Sequence, residues 1–98
     1  MKIPKSVKIG YKDFTVNMVD TDVVSENKVC YGSIDYNKGV INLSTLHSID
    51  QQQCTFIHES LHGIDEIAET ELSEDQVRKL AKGIYQMIKD NPEVFVLE

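Results

Sequence analysis

The sequence predicts a small α+β domain, in which an antiparallel β-meander of three to four strands packs on two helices. The first half of the chain contains short β-branched runs separated by turn residues, as strands do. The second half contains two amphipathic segments, each preceded by a serine that fits a helix cap. The 98 residues suffice for one hydrophobic core, so we expect a single domain over residues 1–98.

The predicted strands are four short runs. They are "SVKIG", "FTVNMV", "VCYGSIDY" and "VINL". The last two flank Asn37-Lys38-Gly39, and Asn and Gly are the residues that supply the positive φ angles of a tight hairpin. The polar segment "DTDVVSENK" is expected to be the one long loop of the meander.

The two predicted helices run from about Ile49 to Ala68 and from about Glu74 to Lys89. Each start has a capping-box pattern, with a serine followed three residues later by a glutamine. Asn91-Pro92 ends the second helix. Apolar residues at helical spacing predict the core faces: Cys54, Ile57, Leu61, Ile64 and Ala68 on the first helix, and Val77, Leu80, Ala81, Ile84, Tyr85 and Ile88 on the second. The tail "EVFVL" suits either a last strand or a packing arm.

Composition excludes several classes of function. The net charge of -6 and pI near 4.9 leave no basic stripe that could neutralise phosphates, so we expect no nucleic-acid partner. No segment is apolar enough to cross a bilayer and no export signal is evident, so we expect a cytoplasmic protein without a membrane partner. In that compartment Cys30 and Cys54 are expected to be free thiols.

The segment "QQQCTFIHESLHGIDEIAE" contains the pattern H-E-x-x-H at His58, Glu59 and His62. On a helix, residues i and i+4 lie one turn apart on the same side, so both imidazoles can reach one zinc ion. Glu59 would lie beside the ion, where it can take a proton from water and hand it to a leaving amine. Two histidines at the margin of a core face therefore predict a zinc site with its own general base.

A catalytic zinc usually has three protein ligands, so a third must come from elsewhere in the chain. Asp65 follows on the same helix, but three successive turns spread over about 10 Å, and Asp65 better suits a hydrogen bond to a histidine. The inward stripe of the second helix, extended backwards from Ala81 and Val77, reaches Glu74. We therefore predict Glu74 as the third ligand, with Glu71 in the connecting loop as the rival.

With this ligand set the chain resembles a gluzincin, a zinc peptidase whose third ligand is a glutamate. The runs "GVINLS", "QQCTFIHESLHGI" and "LSEDQVRKLAKGIYQMIKDNP" more closely resemble small phage and prophage metallopeptidases of the ImmA/IrrE type, over roughly residues 29–92. The resemblance implies a minimal zincin-like fold, a sheet edge that holds an extended substrate, Zn²⁺ as the metal and cytoplasmic proteolysis. In better-developed members the substrate is a transcriptional repressor.

The leading hypothesis is thus a zinc-dependent metallopeptidase that acts on a protein or peptide substrate. The alternative is a zinc-stabilised protein-binding module that grips a partner without cutting it, and a metal-free interaction domain follows if the motif is accidental. Tyr31, Tyr36, Tyr85 and His47 are candidate transition-state donors, although ordinary packing or surface roles are favoured for all four.

Overall fold

The strands precede the helices along the chain. The structure is a computed structural model that describes residues 1–95, and it confirms the α+β class. Within these residues a mixed sheet of four strands and a separate two-stranded sheet accompany two α-helices. The elements are β1 (Ser6–Ile9), β2 (Lys12–Val19), β3 (Val23–Ser25), β4 (Lys28–Cys30), β5 (Gly32–Asp35), β6 (Val40–Ser44), α1 (Ile49–Ala68) and α2 (Glu74–Asp90), followed by a 3-10 helix (Pro92–Phe95).

The four-stranded sheet has the order β1-β2-β6-β5, and the predicted antiparallel meander is wrong. The outer pairs, β1 with β2 and β5 with β6, are antiparallel hairpins as expected. The central pair is parallel, with Val16 opposite Ile41. The chain crosses over between the two hairpins, so their inner strands run in the same direction and β5 becomes an edge strand.

The segment predicted as one long loop contains β3 and the start of β4, which form the two-stranded sheet. Glu26 and Asn27 turn this hairpin, with φ of 52° and 63°. Two successive positive φ angles suit a tight hairpin, but a glutamate at one of them hides the signal in the sequence. The predicted strand "VCYGSIDY" is accordingly split at Tyr31 into β4 and β5.

The turn between β5 and β6 is close to its prediction. Gly39 has φ of 66°, whereas Asn37 does not have a positive φ. The Asp35 carboxylate accepts a hydrogen bond from the backbone N–H of Lys38, and the Asp35 carbonyl accepts one from the N–H of Gly39. These bonds close the hairpin, so only one residue needs the left-handed conformation.

The helix boundaries agree with the predictions, except that α2 extends one residue further, to Asp90. The Ser73 and Gln76 side chains form a complete capping box at the start of α2. The Ser48 hydroxyl accepts from the Gln51 N–H at the start of α1, while the Gln51 side chain donates to Thr55 instead of completing the box. In the tail, Glu93 to Phe95 belong to the 3-10 helix, and residues 96–98 lie outside the described part of the chain.

Helix α1 lies between the sheet and α2, so it contributes to two hydrophobic clusters. One joins it to the sheet and comprises Ile9, Phe14, Val16, Ile41, Leu43 and Phe56. The other joins it to α2 and comprises Ile57, Ala81 and Tyr85, with Cys54, Leu61, Ile84 and Ile88 partly buried around them. Neither helix described within residues 1–95 combines the length and apolar composition needed to span a membrane.

The predicted apolar stripe of α1 is mainly the side that faces α2. The side that faces the sheet was missed, because polar Gln52, Thr55 and Glu59 are buried there together with Phe56 and Gly63. Three predicted core residues are wrong, because Ile64 and Ala68 on α1 and Leu80 on α2 are exposed. Ile64 and Leu80 are each 44% exposed. As predicted, Cys30 and Cys54 are free thiols.

Candidate metal centre

Helix α1 presents His58 and His62 from successive turns on the side that leans towards α2. Their side chains are 20% and 23% exposed, so both are mostly buried but remain accessible from one direction. Their rings are 4.9 Å apart between centroids. The i and i+4 spacing thus brings the two imidazoles close enough together to bind one metal ion.

The short connection between the helices carries Glu74 back to these histidines. Asp65 near the end of α1 accepts hydrogen bonds from the Thr70 hydroxyl and from the Leu72 backbone N–H, the latter at 3.0 Å. The Ser73 capping box then starts α2 at Glu74. Asp65 therefore orders the connection, and the expected hydrogen bond between Asp65 and a histidine is not present within residues 1–95.

The Glu74 carboxylate bridges the two imidazoles. Its Oε1 lies 2.8 Å from His58 Nε2, and its Oε2 lies 2.8 Å from His62 Nε2. The two Nε2 atoms are 3.2 Å apart. These three side chains form a group that could hold a metal ion, whereas the rival Glu71 lies exposed in the connection with φ of 58° and is not part of the group.

The donor set fits zinc in both chemistry and size. Bonds of about 2.1 Å in a tetrahedral arrangement place neighbouring donor atoms roughly 3.4 Å apart. One donor atom from each of His58, His62 and Glu74 lies within 4.8 Å of the other two, so adjustment of the side chains alone can bring all three onto one ion. Burial lowers the pKa of His58, although the Glu74 carboxylate opposes the shift, and a neutral imidazole is the form that binds a metal.

Glu59 is buried against the same site, with 7% of its surface exposed. Burial, and then the negative charge of Glu74, raise the pKa of its carboxyl group to about 7. Among residues 1–95 no cation or hydrogen-bond donor pairs with this carboxyl group. An ionised carboxylate is costly in such surroundings, and this cost is the physical reason for the raised pKa.

These residues line a cleft of about 760 Å³ between α1, the start of α2 and the strands β4 and β5. The edge strand β5 forms one wall. The N–H of Ser44 donates to the Tyr31 carbonyl, so in this antiparallel register Tyr31 and Ser33 bond to β6. The backbone groups of Gly32 and Ile34 consequently point away from β6, towards the outer edge of the sheet.

The four candidate transition-state donors lie in different parts of the structure. Tyr31 and Tyr36 line the cleft, and the Tyr36 hydroxyl donates to the backbone carbonyl of His62 at 2.9 Å. Burial raises the pKa of Tyr36 to about 12, with a contribution from nearby carboxylates. Tyr85 instead donates to Asp50 at the other end of α1, and His47 packs edge-on against Tyr31. The cleft is lined by neither Tyr85 nor His47.

Three basic residues in the cleft were not predicted. Arg78 and Lys82 follow Glu74 along α2 at intervals of four residues, and Lys28 enters from the β3–β4 hairpin. The interval of four was a usable signal, because it places all three α2 side chains in one row on the helix surface. Lys28 carried no such signal, because its segment was expected to be a loop.

Comparisons with known protein families, with curated proteins and with solved structures found no match to this chain.

Proposed function

We propose that this protein is a zinc-dependent metallopeptidase that hydrolyses a peptide bond with a metal-activated water molecule. One observation carries the proposal: three donor atoms that suit zinc converge beside a buried, unpaired carboxylate, all facing one open cleft. His58, His62 and Glu74 hold the ion, and Glu59 is the general base.

The division of work follows from the positions of the side chains. A zinc ion in such a site lowers the pKa of a water molecule and polarises a carbonyl group. Glu59 lies next to His58 in sequence and is not one of the converging ligands, so its carboxylate is free to accept a proton from the attacking water. The same carboxyl group then delivers the proton to the leaving amine nitrogen.

The substrate is an extended polypeptide that pairs with the edge of β5. The outward backbone groups of Gly32 and Ile34 offer the hydrogen bonds of an added strand, and β5 borders the same cleft as the histidines. Tyr31 is the better placed donor to the carbonyl oxygen of the scissile bond, because the Tyr36 hydroxyl already bonds to His62.

The order of the motifs along the chain supports a proposal about the class of substrate. The strand "GVINLS", the H-E-x-x-H helix and the following helix with its glutamate resemble ImmA/IrrE-type peptidases. A regulatory protein such as a repressor is therefore the substrate class that we propose, and a minimal gluzincin is the corresponding fold description.

The substitution Glu59→Gln tests this mechanism. It preserves the shape of the side chain and leaves all three metal ligands in place, so we expect unchanged zinc content and loss of hydrolysis by a factor of about 100 or more. The assay incubates the zinc-loaded protein with a library of unfolded peptides and identifies new termini by mass spectrometry. The matched control is Glu66→Gln, an exposed residue of the same helix that does not line the cleft.

Cleavage by Glu59→Gln at the normal rate would refute the role of Glu59. If the unsubstituted, zinc-loaded protein binds peptides and cuts none, the alternative applies, and the fold is a zinc-stabilised binding module. If it neither binds zinc nor cuts peptides, the protein is a metal-free interaction domain.

A further inference from the structure

The basic row on α2 begins at the metal-binding residue Glu74 and continues along the cleft. Arg78 and Lys82 follow at i+4 and i+8, so their Cα atoms lie about 6 and 12 Å further along the helix axis. Both side chains line the cleft. Since an extended peptide advances roughly 3.3 Å per residue, this row reaches groups two to four residues from the metal centre.

The cleft is less acidic than the chain as a whole. The whole sequence has a net charge of -6, yet Lys28, Arg78 and Lys82 share the cleft with only three acidic side chains, Glu26, Glu59 and Glu74. Lys28 and Lys82 have no salt bridge with an acidic side chain among residues 1–95. Arg78 pairs with Asp75, which also pairs with Lys79 at 2.9 Å. A divalent cation at the metal centre would leave this region positive.

The geometry points to a carboxylate-binding subsite formed by Arg78 and Lys82, which selects a substrate carboxylate two to four residues from the scissile bond. This inference rests on the proposed peptidase function and specifies its substrate class, an acidic peptide. The Arg78 guanidinium group contacts Asp75 through Nη2, and its remaining N–H groups can donate to a substrate carboxylate. Lys82 adds a second positive charge further along the helix. The carboxylate belongs either to an Asp or Glu side chain or to the free C-terminus of a peptide.

Binding to the zinc-loaded Glu59→Gln protein tests this subsite, because substrate is not consumed. Three dansyl-labelled octapeptides of Ala, Ser and Thr serve as probes. One has a central Glu and an amidated C-terminus, one has Gln in its place, and one lacks acidic side chains but has a free C-terminal carboxylate. We expect the Glu peptide, the free-carboxylate peptide or both to bind roughly threefold to tenfold more tightly than the Gln peptide, as partly exposed ion pairs allow. Comparison of the two acidic probes identifies the source of the carboxylate.

Charge-neutral variants of the row supply the second part of the test. Arg78→Gln and Lys82→Gln should each remove most of the preference, and moderate salt should weaken it. Lys79→Gln is the matched control, because Lys79 is the neighbour of Arg78 and also pairs with Asp75 but does not line the cleft. It should leave the preference unchanged.

Equal binding of the acidic and neutral peptides, or no binding of any probe, would overturn the subsite. An equal loss in Lys79→Gln would overturn it as well, because the effect would then be one of general charge. Failure of the peptidase proposal can be distinguished from failure of the carboxylate-binding subsite. In that case the protein without the Glu59 substitution leaves the Glu peptide uncut, while the dependence on Arg78 and Lys82 persists.

Discussion

At the scale of single residues, Gly32 of the edge strand β5 packs directly against Thr55 of α1. A Cβ atom there would come within 2.7 Å of the Thr55 side chain and 2.8 Å of the Asn42 backbone carbonyl oxygen. The carbonyl oxygen belongs to the sheet and cannot move without disturbing it. The position therefore requires glycine for close packing beside the candidate site.

We predict that Gly32→Ala lowers the free energy of unfolding by about 1 to 3 kcal/mol, the usual cost of overpacking. Gly83→Ala is the matched control, because a Cβ atom at Gly83 meets nothing within 4 Å and Gly83 lies inside α2. That variant should gain up to about 1 kcal/mol from helix propensity. Urea unfolding measures both, and stabilisation by Gly32→Ala would contradict the packing at this position.

The periodicity of a helix allowed some residues of the site to be predicted, but not all. His58 and His62 follow from i and i+4 spacing, and Glu74 follows from the inward stripe of α2. The burial of Glu59 was not predictable in the same way, because it faces the sheet among Gln52 and Thr55, where no apolar pattern marks a buried side. The strands that cover Glu59 are distant from it in sequence, and their position depends on how the sheet pairs.

At the scale of elements, a polar cluster holds the two helices together at the end away from the candidate metal centre. Asp50 near the start of α1 accepts a hydrogen bond from the Tyr85 hydroxyl at 2.6 Å and forms a salt bridge with Lys89, both on α2. The bond from Tyr85, and then the contacts with Lys89, lower the pKa of Asp50. The charged carboxylate is thus favoured in the folded state.

The lowered pKa of Asp50 determines how its contribution to stability changes with pH. A carboxyl group with a lower pKa in the folded state stabilises the fold above its unfolded pKa, and this contribution is lost as pH falls through the folded pKa. We predict that Asp50→Asn is less stable than the unsubstituted protein at neutral pH, and that the difference shrinks below about pH 4.

Urea midpoints from pH 7 to pH 3 measure this difference. Asp90→Asn is the control for loss of one negative charge, because the hydrogen bond found for its carboxylate comes from Gln86 of the same helix. A difference for Asp50→Asn that is constant down to pH 3 would contradict the assignment.

Strand pairing shows where local sequence reasoning stops. Both hairpins of the main sheet were predictable, because each is closed by a turn with identifiable residues. The parallel pairing of β2 with β6 joins segments about 25 positions apart, and it depends on which alternate residues face α1. Phe14, Val16, Ile41 and Leu43 all face that side, and no local signal distinguishes this arrangement from a meander.

At the scale of the whole molecule, the candidate metal centre lies between α1 and α2, which also meet through the apolar cluster around Ala81 and the polar contacts of Asp50. His58 and His62 belong to α1 and Glu74 to α2, so one ion would join the helices at the end opposite Asp50. An ion that binds only the folded protein adds to its stability, by about 2.7 kcal/mol at a free concentration one hundred times its dissociation constant. For a chain of this size that corresponds to roughly 10 to 20 °C in melting temperature.

The most direct test of the account is zinc content per chain, measured together with the melting temperature, for the unsubstituted protein, Glu74→Gln and Glu71→Gln. Both variants remove one carboxylate, but only Glu74 contacts the histidines. We predict about one zinc and a metal-dependent rise in melting temperature for the unsubstituted protein and for Glu71→Gln, and much less of both for Glu74→Gln. Equal zinc in all three, or none in any, would contradict a site formed by His58, His62 and Glu74.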